Sequence, residues 1–181
     1  MGSASGEMNE GQLKKAYELG RSIARHDCVL ITGACPGLPY ETARGCKNEK
    51  GLSVGISPGL SNFEHKTKYH SPDDQYDVII FTGSGLMGRE VTAIRSCDIV
   101  VIIGGRSGTL GEFSIAYDEG KLIGVLEKTG GITVYMEQIL RAIDKETGAK
   151  IFFDEDPDNL IRRLVEEYKK EFYKRPNIFS E

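Results

Sequence analysis

The chain has 181 residues, 39% apolar and 28% charged, with 23 lysines and arginines against 27 aspartates and glutamates. That length suits one domain with a sizeable core, and a net charge of −4 argues against non-specific nucleic-acid binding. No apolar run is long enough for a membrane span and no signal-peptide pattern opens the chain. The cysteines Cys28, Cys35, Cys46 and Cys97 lack metal-type spacing and fit a reducing cytoplasm. His26, His65 and His70 are scattered, so no metal is expected.

Met1 to Glu7 is small and polar and reads as a disordered leader or a remnant added for expression, leaving 8–181 as one nucleotide-binding domain. Leu13, Ala16, Tyr17, Leu19, Gly20 and Ile23 recur at near-helical spacing, which predicts an amphipathic helix from Met8 to Arg25. Asp27 to Thr32 reads as a strand running into Gly33-Ala34-Cys35-Pro36-Gly37, and Pro39 suits the first turn of a helix from Tyr40 to Asn48. A helix N-terminus beside Cys35 would lower its pKa. Leu52 to Ser57 is a short strand.

Leu60 to Asp77 has no period and reads as a functional lid, a mobile connection or a partner contact. The strand Val78 to Thr82 precedes Gly83-Ser84-Gly85, which opens a helix to Cys97 with Arg89 near its head. Asp98 to Ile103 is an unbroken β-branched run, as in a parallel sheet buried on both faces. It leads into a Gly-rich loop and a helix from Thr109 to Glu119. A strand at 121–126, a helix at 134–145, a strand at 150–153 and a charged helix at 157–173 follow. Asp154 or Asp156 would cap that last helix.

Strand and helix in alternation predict an α/β fold, Rossmann-like and doubly wound, with a mostly parallel sheet of about six strands and helices on both faces. Ligands of such sheets bind beyond the carboxyl ends of the strands. Three loops reach that edge: one with Gly33 and Gly37, one with Gly83 and Gly85, and one with Gly104, Gly105, Arg106, Ser107, Gly108 and Thr109. Glycines expose backbone N–H groups and helix N-termini add a positive end, which together favour phosphate. Arg89 is either a solvated or ion-paired arginine or a planar fork that grips an anion. Arg106 could do the same work or face water. Glu112 is either a helix-dipole partner or a catalytic carboxylate kept ionised by Arg89, suited to stabilising a sugar cation or activating water.

These residues resemble the Lonely Guy family of Rossmann-like proteins, often mislabelled lysine decarboxylases. Its signature is Pro-Gly-Gly-x-Gly-Thr-x-x-Glu after an arginine at the head of the previous helix; Gly104, Gly105, Gly108, Thr109, Glu112 and Arg89 match it. The resemblance implies a phosphoribohydrolase of cytokinin-activating type, releasing a free base from a nucleoside 5′-monophosphate. Arg89 and Glu112 would be the catalytic pair, and Gly105, Ser107, Gly108 and Thr109 would surround the phosphate. It also implies a homodimer or higher homo-oligomer, in keeping with the apolar, aromatic stretch Tyr40 to Cys46, and no cofactor.

The chain departs from that pattern at several points. Ile103 replaces the proline, Glu90 replaces a lysine, and the first loop lacks the usual three glycines. The strand ending in Gly-Ser that normally precedes the first helix has no evident counterpart. The two residues Arg106-Ser107 stand where the enzymes have one, which is similar to the branch of molybdenum-cofactor carriers that bind a phosphorylated ligand without established hydrolysis. The expectations are therefore an N-glycosidase, alternatively a non-catalytic nucleotide or cofactor carrier, and thirdly a plain interaction module.

Overall fold

The computed structural model describes residues 1–171. Six strands form: β1 Leu30–Thr32, β2 Ser53–Ser57, β3 Val78–Phe81, β4 Ile99–Ile103, β5 Leu122–Leu126 and β6 Lys150–Asp154. Between them lie α1 Glu10–Arg25, α2 Leu38–Asn48, α3 Asn62–Thr67, α4 Gly85–Arg95, α5 Ser107–Asp118, α6 Met136–Ile143 and α7 Pro157–Lys170. Residues 172–173 of the expected last helix lie outside the described residues.

All pairings are parallel, and they fall into two three-stranded sheets, β1-β2-β3 and β4-β5-β6. The β-branched sequences explain the burial. In β5, Leu122 and Leu126 enter a core with α1, α2 and α7, while Ile123 and Val125 enter a second core with α4, α5 and α6. Alternation along one strand thus feeds both layers of helices. α1 starts on a reciprocal cap: Asn9 and Gln12 exchange side-chain to backbone bonds of 2.9 Å in each direction. Of the two candidate caps for α7, Asp156 serves, accepting from the Asn159 N–H at 2.8 Å.

Two segments differ from expectation. Within Leu60 to Asp77 a six-residue helix, α3, forms on a Ser61 cap, too short to leave a periodic signal. His65 at its centre is fully buried; its Nδ1 pairs with Ser57 Oγ at 2.9 Å and its Nε2 with Pro72 O at 3.1 Å. Those bonds tie the segment to the carboxyl end of β2.

The opening residues, expected as a disordered leader, are held by β4 and two loops. Met1 accepts from the Ile103 N–H at 2.9 Å and donates its amino group to Val101 O at 2.6 Å. Ser3 O accepts from the Leu38 N–H at 3.0 Å, and Ser3 Oγ accepts from the Gly105 N–H at 2.7 Å. Small side chains let this backbone approach the loops, and it satisfies buried amides that would otherwise be orphaned.

Candidate functional site

The carboxyl edges of β1 and β4 open onto one cavity of about 940 Å³. Of the residues singled out in the sequence, Gly33, Arg89, Arg106, Ser107, Gly108, Thr109 and Glu112 line it. Gly37, Gly83, Gly85, Gly104 and Gly105 do not line it; they sit at positive φ in the turns that aim the helices. Gly105 is confined to glycine, with φ +97° and a Cβ position 2.5 Å from Thr109 Cβ.

The helices differ in how they begin; α6, away from the cavity, starts at Tyr135 without a side-chain cap. α1, α3 and α7 are capped by the side chains of Asn9, Ser61 and Asp156. α2, α4 and α5 begin at Gly37, Ser84 and Arg106 with no side-chain cap. The first turns of these three reach the cavity through Pro39, Leu86 and Ser107 to Thr109. In α5 no acidic residue offsets the dipole in that turn. The leading amides of α2 and α4 are taken by carbonyls, Leu38 N–H by Ser3 O and Gly85 N–H by Pro58 O, so α5 is the positive helix end whose first turn, Ser107 to Thr109, faces the cavity with its amides open, the arrangement that attracts an anion.

Arg89 crosses from α4 to the β1 loop. It is 8% exposed, and its Nη1 donates to Gly33 O and, at 3.3 Å, to Ile56 O. Its Nε is buried without a partner, an expensive condition for a charged group. A glycine at 33 makes the crossing possible, since a Cβ there would lie 1.7 Å from Nη1.

Glu112 shares the cavity with Arg89 and is also 8% exposed. Burial pushes its carboxyl up from the usual range, and the Met1 amino group and Arg89 only partly oppose this. The expectation that Arg89 keeps it fully ionised gives way to desolvation. Glu90 is raised as well, first by burial and then by the charge of Glu112. Cys35 moves up, not down: burial outweighs the nearby arginine, so the thiol is not activated.

A carboxyl whose folded-state pKa is raised loses stability as pH climbs above its unfolded value. We therefore expect Glu112→Gln to raise Tm at pH 8 by a few degrees, about 1 kcal/mol or less, and the gain to vanish near pH 4. Thermal unfolding across that range checks it; a lower Tm at pH 8 would mean that the charged form is the stabilised one.

Sequence reasoning missed three contributors. Ser3 and Ser5 brace the loop, with Arg106 donating to Ser5 Oγ; small polar composition hid them. Thr129 Oγ1 accepts from the Gly104 N–H at 2.8 Å and donates to Leu126 O at 2.6 Å, a pairing between distant positions that no local pattern announces. Among the described residues no group of three or more His, Cys, Asp or Glu could hold a metal ion, and no helix is long and apolar enough to cross a membrane.

Comparison with known proteins places this geometry among others. The model of the SLOG cluster4 family matches residues 1–161. The solved structure of TM1055 has a TM-score of 0.79 at 26% identity, covering 92% of this chain and 96% of that one. A molybdenum cofactor binding protein from Rippkaea orientalis has a TM-score of 0.75 at 27% identity, covering 92% and 93%. The molybdenum cofactor carrier protein of Chlamydomonas reinhardtii has 0.74 at 26% identity, covering 94% and 96%.

Proposed function

This chain belongs to the SLOG cluster4 family, and we propose that it binds and carries a phosphorylated, nucleotide-like small molecule of the molybdenum-cofactor kind. The observation that carries this reading is the start of α5, with no side-chain cap and no acidic residue in its first turn, opening onto the cavity beside Arg89. The phosphate would take the leading amides of α5 and the hydroxyls of Ser107 and Thr109. The orphaned Nε–H of Arg89 would gain an acceptor. Leu86 and Pro39, which line the same space, would meet the ring system. Two solved relatives named for that cofactor support the ligand class.

Cleavage of an N-glycosidic bond in a nucleoside 5′-monophosphate is the second reading, favoured by Glu112 in the same cavity as Arg89. Two observations support binding over cleavage. The raised carboxyl of Glu112 is less available as an anion to a sugar cation, and Arg89 Nη1 is already engaged by two carbonyls.

The test is a thermal-shift screen with AMP, GMP, a cytokinin monophosphate and a phosphorylated pterin, followed by chromatography for free base. A ligand at a hundred times its Kd adds about 2.7 kcal/mol, or roughly 5–11 °C in Tm for a domain of this size. A shift without base release supports the carrier; base release abolished in Glu112→Gln supports the enzyme; no shift with any of them contradicts both.

The same reading takes the protein as a single cytoplasmic domain that self-associates and engages neither nucleic acid nor a membrane. In the stretch Tyr40 to Cys46, Ala43 and Cys46 are buried in the core, which leaves less apolar surface there for a contact. The face carrying Phe63, Val78, Ile80 and Met87, 75%, 48%, 47% and 79% exposed, is the better candidate. Light scattering of wild type against Phe63→Glu/Met87→Glu should show a dimer falling to monomer; an unchanged mass would reject that face.

A further inference from the structure

Glu90 follows Arg89 on α4, and one step along a helix turns the side chain by about 100°. Arg89 therefore reaches the β1 loop at Gly33, while Glu90 reaches α5. Its Oε1 lies 3.5 Å from the Cβ position of Gly108, and its Oε2 lies 3.7 Å from that of Gly111. Beyond the chain neighbours of Gly108 and the α5 backbone, nothing else among the described residues comes within 4 Å of that position. Glycine at both places leaves the surface of α5 open beneath the Glu90 carboxylate.

Glu112 approaches the same place along α5 itself. It stands four residues after Gly108, so the two share a face, and a helical side chain leans toward the turn before it. That carries its carboxyl back toward Gly108 and the open amides of the first turn. Burial is what raises the Glu90 carboxyl most, and the charge of Glu112 comes next, as for two carboxylates that share a site. Glu90 is 9% exposed and Glu112 8%, and both line the cavity. Among the described residues neither carboxylate has a hydrogen bond or an ion pair, which is expensive for buried charge.

What neutralises the pair has to suit the anion site beside it. Arg89 is held on Gly33 O and Ile56 O by its Nη1, and its Nε–H, buried without a partner, calls independently for an acceptor in the same cavity. A phosphate on the α5 amides would add negative charge next to Glu90 and Glu112. A proton relieves one carboxylate and does nothing for the phosphate, whereas a divalent cation takes oxygens from all three. Mg²⁺ is commonly held by one or two carboxylates together with ligand phosphates and its own waters. Such a site needs no third acidic or imidazole side chain, and among the described residues there is no larger cluster.

We propose that Glu90 and Glu112 hold a hydrated divalent cation of the Mg²⁺ kind over Gly108, where it bridges to a phosphate on the α5 amides. The bridge rests on the phosphorylated-ligand reading above; the cation itself rests on the two carboxylates.

Mn²⁺ is the probe, because its EPR signal is lost on binding and the bound ions can be counted. At pH 8 the protein should bind one Mn²⁺ with a Kd of about 0.1–1 mM, the weak range for oxygen-ligand sites, and Mg²⁺ should displace it. Glu90→Gln and Glu112→Gln should each weaken binding at least about tenfold. Glu137→Gln, exposed on α6, should not. Saturating GMP should tighten Mn²⁺ by roughly 5- to 150-fold, and Mn²⁺ should tighten GMP by the same factor. Glutamine conserves the volume of glutamate, and thermal unfolding of each variant separates loss of the ion from loss of the fold.

The absence of a single Mn²⁺ site in the unsubstituted protein would overturn the proposal. So would Glu90→Gln binding Mn²⁺ unchanged, or Glu137→Gln losing it equally, which would mean diffuse surface binding. Mn²⁺ held through Glu90 and Glu112 but unmoved by GMP and by a pterin phosphate would uphold the cation site and count against the phosphorylated ligand instead.

Discussion

Gly33→Ala is expected to weaken anion binding by one to two orders of magnitude while leaving the fold in place. A Cβ at residue 33 would stand 1.7 Å from Arg89 Nη1 and 2.4 Å from its Cζ. Residue 33 is not among the positive-φ positions, so alanine suits the backbone and the cost falls on the guanidinium. Arg89 must leave its seat between Gly33 O and Ile56 O. Hydrogen bonds from a charged donor are worth about 1.5–3 kcal/mol each, so losing its contact with the ligand should weaken binding about 10- to 100-fold. Titration calorimetry of Gly33→Ala and Arg89→Met against the best ligand of the screen measures it. Affinity retained in both variants would remove Arg89 from the site.

The largest loss of stability is expected far from the cavity, where α1 crosses α2. A Cβ on Gly45 would lie 1.9 Å from Tyr17 O, and one on Gly20 would lie 1.9 Å from Thr42 O. Both obstacles are backbone, so neither can rotate away; the helices must separate. Ala16, Leu19, Ala43 and Cys46 share that buried contact and would lose packing with them. Gly45→Ala should therefore cost about 3 kcal/mol, a fall in Tm of roughly 6–12 °C. Gly11→Ala, on the exposed start of α1 where a Cβ meets only Asn9 Oδ1 at 3.2 Å, should cost far less. Thermal unfolding of the pair checks the contrast, and equal losses would refute the close crossing.

The legibility of the fold followed the periodicity of its elements. β4 and β5 are unbroken apolar runs, and their parallel, doubly covered setting was readable from composition alone. α1 announced its buried stripe through Leu19 and Ile23, yet no pattern showed that Gly20 touches the backbone of α2. α3 escaped because six residues are under two turns and His65 is a polar residue placed in a core. The leader misled for a related reason: Met1 to Ser5 has no side-chain signal, and its role is carried by backbone bonds to Ile103, Leu38 and Gly105.

At the site, motif spacing located Ser107, Gly108, Thr109 and Glu112 because glycines, hydroxyls and a following helix are local features. The ionisation of Glu112 was not local. Arg89 alone predicts a lowered pKa, but burial of the carboxyl moves it the other way, and burial depends on how α4 packs over α5. Glu90, adjacent in sequence to Arg89, entered the same electrostatic cluster through that packing.

The central claim is that the α5 amides and Arg89 jointly hold an anionic group, and amide and guanidinium NMR during titration with a nucleoside 5′-monophosphate or pterin phosphate tests it most directly. The account predicts saturable shifts at the Ser107, Gly108 and Thr109 amides together with the Arg89 Nε–H, all with one Kd. Shifts confined to other loops, or an Arg89 Nε–H that stays unmoved at saturation, would contradict it.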